Sequence, residues 1–439
     1  MGVASGELAD LEGASIAGHA PPAVPTGRVI TAGLVGNVME WYDFAVYGYF
    51  AVAIGANFFP AADPVSSTLA AFAVFAVGFL ARPLGGVLFG HIGDRIGRKR
   101  ALTASMVSMA VPTVLIGLLP THAQIGALAG AALVVLRLLQ GLAVGGEFTT
   151  SVAYAVEHAH AGQRGRDGSW MWAGAIGGIL LGSAVGALIS GVMPADRLSA
   201  WGWRLPFLFS VVVGGFGLWL RRRLPEAPLP ARAPGRARLP ILIALETEWR
   251  TMLRVMVLCL PGGIGFYTVF VFVVSYLQTF VHVPEREVLE VNTLSMIGYL
   301  GCTLLGGVLS DRLGRKPVAI AATAGLLLLA WPLFDLLDHP RFAFMLSAQL
   351  CMAAALGLYF GQLPALLVEA LPGKVRCSAI SLSYNFSVGL SGGLTPLVAT
   401  WLIQRTGDEM VPAVMLMMLA AVVLLALWRT PETAGMPLR

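Results

Sequence analysis

The sequence predicts an all-α membrane protein of twelve transmembrane helices in two six-helix bundles. Three observations carry that prediction. Apolar residues make up 57% of the 439-residue chain and charged residues only 12%, against roughly 25% charged in soluble domains. Apolar runs of about 20 residues recur, each long enough to cross a hydrocarbon core about 30 Å thick. Finally, Gly93–Lys99 reads GDRIGRK and Ser310–Lys316 reads SDRLGRK. A charged turn repeated about half a chain apart implies two related halves.

Taken in order, residues 1–27 are Ala-, Gly- and Pro-rich and are expected to form a disordered cytoplasmic tail. They have neither the basic start nor the apolar middle of a signal peptide. The N-terminal bundle covers 28–221, with spans at roughly 28–56, 68–90, 101–120, 125–156, 168–193 and 203–221. Residues 222–250, rich in Arg and Pro, read as a polar cytoplasmic linker. The C-terminal bundle covers 251–429, with spans at roughly 251–280, 288–310, 317–337, 341–369, 377–404 and 410–429, and 430–439 form a cytoplasmic tail. Spans longer than the minimum permit tilt or projection beyond the bilayer.

With the N-terminus inside, most Lys and Arg fall in cytoplasmic loops, among them Arg95, Arg98, Lys99, Arg164, Arg312, Arg315, Lys374 and Arg376. The opposite loops hold few, such as Arg197, Arg286 and Arg405. The positive-inside rule favours this orientation, with both termini cytoplasmic. The net charge of +5 is thus a topology signal and not a nucleic-acid footprint. Cys259, Cys302, Cys351 and Cys377 form no CxxC pair and read as small packing residues. His158 and His160 have no further ligand nearby, so no metal site is expected.

Ionisable residues inside spans cost about 2.5–3.5 kcal/mol each on insertion scales and need a reason. Asn37, Glu40, Asp43 and Tyr47 recur along one face of the first span. At ~1.5 Å rise per residue, Glu40 and Arg137 each lie about 18 Å along their helices from opposite ends. Their depths overlap, so Glu40 and Asp43 are expected to face Arg137, with Gln140 beside it, across a central cavity. A carboxylate desolvated in one state and paired in another changes its proton affinity between states. A static buried pair holding two helices in register is the competing reading.

Glu147 lies about 33 Å along its helix and is expected to clamp an inner gate by pairing with Arg95, Arg98 or Arg82. Asp94, Asp311, Arg312 and Arg315 belong to the same inner face, as do Glu369 and Arg376 in EALPGKVR. The second half offers few charges but several polar and aromatic groups: Tyr267, Tyr359, Gln362, Tyr384 and Asn385. With Trp41 they are candidates to hold a small cation or zwitterion by cation–π and hydrogen-bond contacts.

The repeated turn resembles the loop signature of the major facilitator superfamily, and Arg137–Glu147 resembles that superfamily's fourth-helix motif RxxQGxxxGGE. Gly36–Gly48 in the first span, Phe79–Gly86 in the second and Trp201–Phe207 before the sixth are similar to the metabolite:H+ symporter family. The first-span motif and the ending Pro431–Leu438 look closest to proline/glycine-betaine transporters, although citrate, 2-oxoglutarate and shikimate carriers share most motifs. The resemblance implies a multi-pass protein of the bacterial inner membrane, functioning as a monomer. It implies proton-coupled uptake of a small zwitterion or organic acid by alternating access, with the proton as coupling ion and no other cofactor.

Other classes fit less well. A uniporter or exchanger would use the buried charges for binding alone. An enzyme would need a nucleophile–base pair or metal cluster within a span, and no Ser–His or His–Glu spacing suits one. A transporter-like sensor would need a soluble signalling region, for which the sequence offers no candidate.

Overall fold

The computed structural model describes residues 26–61, 64–160, 162–222 and 239–438. Twelve long helices order these residues. In the first half they are α1 (Thr26–Tyr49, resumed over Ala51–Phe58), α2 (Pro64–Arg95), α3 (Arg98–Leu118), α4 (Ala127–Glu157), α5 (Arg164–Val192) and α6 (Arg204–Arg222). In the second they are α7 (Trp249–Leu260, continued to Thr279), α8 (Glu285–Leu313), α9 (Arg315–Leu337), α10 (Phe342–Ala370), α11 (Arg376–Thr406) and α12 (Val411–Trp428). Helix is the form that satisfies every backbone N–H and C=O within one span, as lipid requires.

Eleven of the twelve are long and apolar enough to cross a membrane. The exception is α1, whose Asn37, Glu40 and Asp43 dilute its hydropathy. All three are buried inside the protein, so lipid does not meet them. Two departures from the sequence expectation concern continuity. The first span breaks at Phe50, and α7 passes through π-helical turns at Pro261–Gly265 and Thr268–Phe272. Pro261 has no N–H to continue the ordinary ladder.

The halves repeat each other's packing. In the first, α1 packs on α5, α2 on α4, and α3 on both α4 and α6. In the second, α7 packs on α11, α8 on α10, and α9 on both α10 and α12. Close crossings explain two of the glycines. A side chain on Gly141 of α4 would strike the Gly78 carbonyl of α2, and one on Gly361 of α10 would strike the Thr303 carbonyl of α8. The duplicated turns use glycine for another reason: Gly97 and Gly314 have φ of 123° and 101°, a region that L side chains avoid.

The bundles meet along two seams, α2 against α11 and α8 against α5. The linker expectation is corrected in part. Residues 223–238 lie outside the described residues, as do 1–25, where the disordered tail was expected. The rest of the linker is not a polar strand of chain: Pro240–Thr247 forms a short helix, with Ile241 and Ala244 buried, that packs on both α2 and α11. Apolar side chains at Ile241 and Ala244 suit that contact better than solvent.

Candidate functional site

The face carrying the two duplicated turns, here the basic face, closes both seams with charge. Asp94 of α2 accepts the backbone N–H groups of Cys377 (3.2 Å) and Ser378 (2.9 Å), the Ser378 hydroxyl (2.6 Å) and Arg98 Nη1 (2.5 Å). Asp311 of α8 accepts the N–H groups of Gly165 and Arg166, both at 2.8 Å, and Arg315 Nη1 at 2.7 Å. Each aspartate therefore caps a helix of the opposite bundle, where unpaired N–H groups and the helix dipole favour an anion. Glu157, ending α4, holds Arg98 (3.3 Å) and Arg376 (2.8 Å). Glu369, near the end of α10, holds Arg315 (3.2 Å) and Arg164 (3.5 Å).

The C-terminal segment covers the second of these clusters. Thr433 donates to Glu369 (2.7 Å), Arg164 donates to the Met436 carbonyl (2.6 Å), and Glu432 accepts the N–H groups of Arg315 and Lys316 at 2.9 Å. Burial alone would push the Glu432 carboxyl up. The N–H groups of Ala434, Arg315, Lys316 and Thr433 outweigh it and hold this carboxyl below its ordinary value.

Deeper in the first bundle, Asn37 donates to Ser151 Oγ (3.1 Å) and the Met171 carbonyl (3.2 Å), joining α1 to α4 and α5. Asp43 accepts the hydroxyls of Thr113 (2.6 Å) and Ser210 (2.7 Å) from α3 and α6. Gln140 Nε2 donates to Thr113 (2.7 Å) and its Oε1 accepts Arg137 Nη1 (2.9 Å). A hydrogen-bond chain thus runs Arg137–Gln140–Thr113–Asp43. The Arg137 guanidinium lies over the rings of Tyr47 (4.3 Å), Phe44 (5.1 Å) and Phe75 (5.1 Å), and Tyr47 donates to the Ala71 carbonyl at 3.0 Å. Glu147 is bound by Arg221 of α6 and by Ser105 of α3.

Unpartnered groups, of which Arg137 Nε and Nη2 are two, gather at the centre. Both Glu40 oxygens, Trp41 Nε1, Arg82 Nη2, both side-chain polar atoms of Gln362, and the hydroxyls of Tyr299 and Tyr384 are buried without a hydrogen-bond partner. Such a group costs about 1–3 kcal/mol, so several in one region need an explanation. Aromatic rings from both bundles interleave with them: Trp41 with Phe266 (6.4 Å), Phe79 with Tyr267 (6.5 Å), Trp172 with Phe360 (4.6 Å) and Phe148 with Tyr384 (4.9 Å). Arg82 lies 5.5 Å from the Phe79 ring and 6.0 Å from that of Tyr384. An unpaired cation, an unpaired carboxylate and aromatic faces can together receive a small polar molecule carrying both charges.

Known proteins match along nearly the whole chain. The "Sugar (and other) transporter" family model matches residues 29–230, and the Major Facilitator Superfamily model matches 265–438. The proline/betaine transporter of Salmonella typhimurium is 36% identical over 424 residues, covering 94% of this chain and 85% of that protein. The chain belongs to the major facilitator superfamily. It is a multi-pass membrane transporter and not an enzyme. The glycine betaine/proline/ectoine/pipecolic acid transporter OusA of Dickeya dadantii is also 36% identical, over 94% of this chain and 84% of its own length. Among solved structures, the proton:xylose symporter XylE bound to 6-bromo-6-deoxy-D-glucose superposes with a TM-score of 0.78 at 18% identity, over 94% of this chain and 97% of that one. That likeness concerns the fold.

Four residues of this superfamily member stand elsewhere than their spacing suggested. Neither Glu40 nor Asp43 pairs directly with Arg137. Three residues of helix turn their side chains about 60° apart, and Asp43 points to α3 and α6 while Glu40 points to the centre. Glu147 pairs with Arg221, not with Arg95, Arg98 or Arg82, because its side chain turns to Ser105 of α3 and to Arg221 of α6. Arg82 is no part of the basic face: it lies twelve residues before Asp94, about 18 Å along α2, and its Nε donates to Asn385 Oδ1 (3.2 Å) across the seam.

The remaining candidates divide by position. Asp94, Arg98, Asp311, Arg315, Glu369 and Arg376 meet on the basic face, Arg95 ends α2 there, and Arg312 is exposed beside them. Trp41, Tyr267, Gln362, Tyr384 and Asn385 reach the centre, whereas Tyr359 is engaged with the Leu258 carbonyl at 2.7 Å within its own bundle. Sequence reasoning missed Glu157, which holds Arg98 and Arg376, and Arg164, which Glu369 holds. A signal existed: Glu157 precedes Arg164 by seven residues, as Glu369 precedes Arg376. Thr113, Ser210 and Tyr299 gave no such signal.

Proposed function

We propose that this transporter is a proton-coupled symporter that takes up a small zwitterion of the proline or betaine class. The carrying observation is the centre, where Arg82, with Nη2 unpartnered, and the unpartnered Glu40 carboxylate stand among aromatic rings from both bundles. Two opposite charges match the two ends of a zwitterion better than the several negative charges of a tricarboxylate. The relatives named as proline/betaine transporters support the same class.

Proton coupling falls to the carboxylates of α1. Asp43 is solvated only by the hydroxyls of Thr113 and Ser210. A proton arriving there removes the charge that ties α1 to α3 and α6. The basic face is cytoplasmic in this reading, by the positive-inside rule, and the two seams open and close as the bundles rock.

The test is uptake into proteoliposomes with and without an imposed proton gradient. Labelled proline or glycine betaine should accumulate uphill only with the gradient. Asp43→Asn or Glu40→Gln should abolish accumulation and leave counterflow of preloaded substrate. Preferential uptake of citrate or 2-oxoglutarate would overturn the substrate class, and undiminished accumulation by both variants would place coupling elsewhere.

A further inference from the structure

Polar rungs join α11 to the first bundle along one seam. Ser378 meets Asp94 at the basic face, Ser381 meets Thr149 of α4, and Asn385 meets Arg82. They fall at i, i+3 and i+7 of α11, a single helical face. Asn385 is the rung farthest from the basic face and the one that borders the centre. Its amide also donates to the Gly145 carbonyl of α4 (2.6 Å) and to the Ser381 carbonyl of its own helix (2.8 Å). Its oxygen takes only Arg82 Nε.

The guanidinium presents two parallel N–H groups along its Nε–Nη2 edge, the geometry that a carboxylate accepts in a bidentate pair. On Arg82 one half of this edge, Nη2, is buried and unpartnered, and the other half, Nε, is held by Asn385. Pro83 follows directly, so the Phe79 carbonyl one turn back lacks its helix donor.

Among the described residues the second seam has no such rung. Twelve residues before Asp311 stands Tyr299, where Arg82 stands twelve before Asp94. The position of α5 that answers Asn385, eight residues beyond the capped Gly165 as Asn385 is eight beyond Cys377, is Ala173. The polar rung therefore belongs to one seam only, although the basic-face charges belong to both seams.

Resting on the zwitterion reading above, we infer that the substrate carboxylate binds the Nε–Nη2 edge of Arg82 and displaces the Asn385 carbonyl oxygen. Substrate binding thereby releases the innermost rung between the bundles. Asn385 is a positioning residue: it competes with substrate for Arg82 and links occupancy of the site to the α2–α11 seam. The cationic end then lies among the rings, on the side of Glu40.

Binding to purified full-length protein tests this, using glycine betaine, proline and choline, the last being a cation without a carboxylate. Asn385→Ala frees Nε and should tighten glycine betaine several-fold while leaving choline unchanged. Asn385→Asp supplies a competing carboxylate and should weaken glycine betaine at least tenfold, again with choline unchanged. Arg82→Lys keeps the charge without the paired edge and should remove the preference for betaine over choline. Thermal unfolding of each variant checks that it is folded, and Asn385→Asp, which retains a pair to Arg82, serves if Asn385→Ala unfolds. A packing role for Asn385 would shift all three ligands together, and that result would overturn the inference. So would a wild-type betaine preference that survives in Arg82→Lys. Wild-type protein that binds none of the three ligands would overturn the zwitterion reading itself, and this inference with it.

Discussion

The two seams share one design and differ at both ends. On the basic face each uses an aspartate to cap a helix of the other bundle, an arginine four residues on, and a glutamate that gathers two arginines. Only the α8–α5 seam is roofed by the C-terminal segment, through Glu432, Thr433 and Met436. Its glutamate, Glu369, has a side chain 2% exposed, against 17% for Glu157. Only the α2–α11 seam carries a polar rung at the centre. The charges recur on both seams, and each seam carries one feature of its own. The roofed seam is better protected from water, while the other is open to competition by a ligand.

Protection from water sets the size of the largest expected effect. Arg315→Ala leaves Glu369 and Asp311 short of a partner in a site that water barely reaches. Breaking a buried pair from one side costs about 3–5 kcal/mol. Arg98→Ala removes the matching residue of the other seam; Glu157 keeps Arg376 as Glu369 keeps Arg164, but Glu157 also keeps some contact with solvent. It should cost less. Thermal unfolding of the two variants, measured side by side in one detergent, gives the comparison. Equal losses would mean that the roof does not protect the second cluster.

A double-mutant cycle sharpens the same point with a smaller effect. Glu432→Gln removes the charge that holds the N–H groups of Arg315 and Lys316. If the roof stabilises Arg315 in its cluster, Arg315→Ala and Glu432→Gln should be non-additive, with a coupling of about 1 kcal/mol. Arg98→Ala and Glu432→Gln, on opposite seams, should simply add.

Much of this design was legible in the sequence, for identifiable reasons. The duplicated turns located both aspartates and both arginines because glycine, charge and spacing coincide there. Helix number followed from apolar length, and even α1 was found, since its polar residues interrupt a run that is otherwise long enough. Side-chain direction was not legible. Glu40 and Asp43 share a broad helical face, yet the difference of about 60° sends one to the centre and the other to Thr113 and Ser210. Depth along α2 separates Arg82 from the basic face, and a motif read as a string gives no depth. Glu432 was hidden for a different reason: a tail of proline, glycine and one acid has no periodicity, and its structure comes from the N–H groups it meets.

The smallest expected effect concerns the pH dependence of the roof. The Glu432 carboxyl is held below the ordinary glutamate value of 4.5, because four backbone N–H groups favour its charged form more than burial opposes it. A carboxyl with a lowered value in the folded protein adds stability that is complete above its unfolded value. That stability is lost as pH falls through the folded value. Near neutrality the wild type should therefore unfold at a higher temperature than Glu432→Gln. Below 4.5 the gap should narrow as the wild-type carboxyl takes up its proton and comes to resemble the amide. Glu432 is partly exposed, so added salt should shrink the neutral-pH gap as well. The variant Glu157→Gln offers the contrast on the other seam. Its loss leaves two arginines without their shared carboxylate, so its deficit should exceed that of Glu432→Gln near neutrality. A gap between wild type and Glu432→Gln that stays constant across the carboxylate range would show that the segment is held by Thr433 and Met436 alone, with the charge on Glu432 playing no part in the roof.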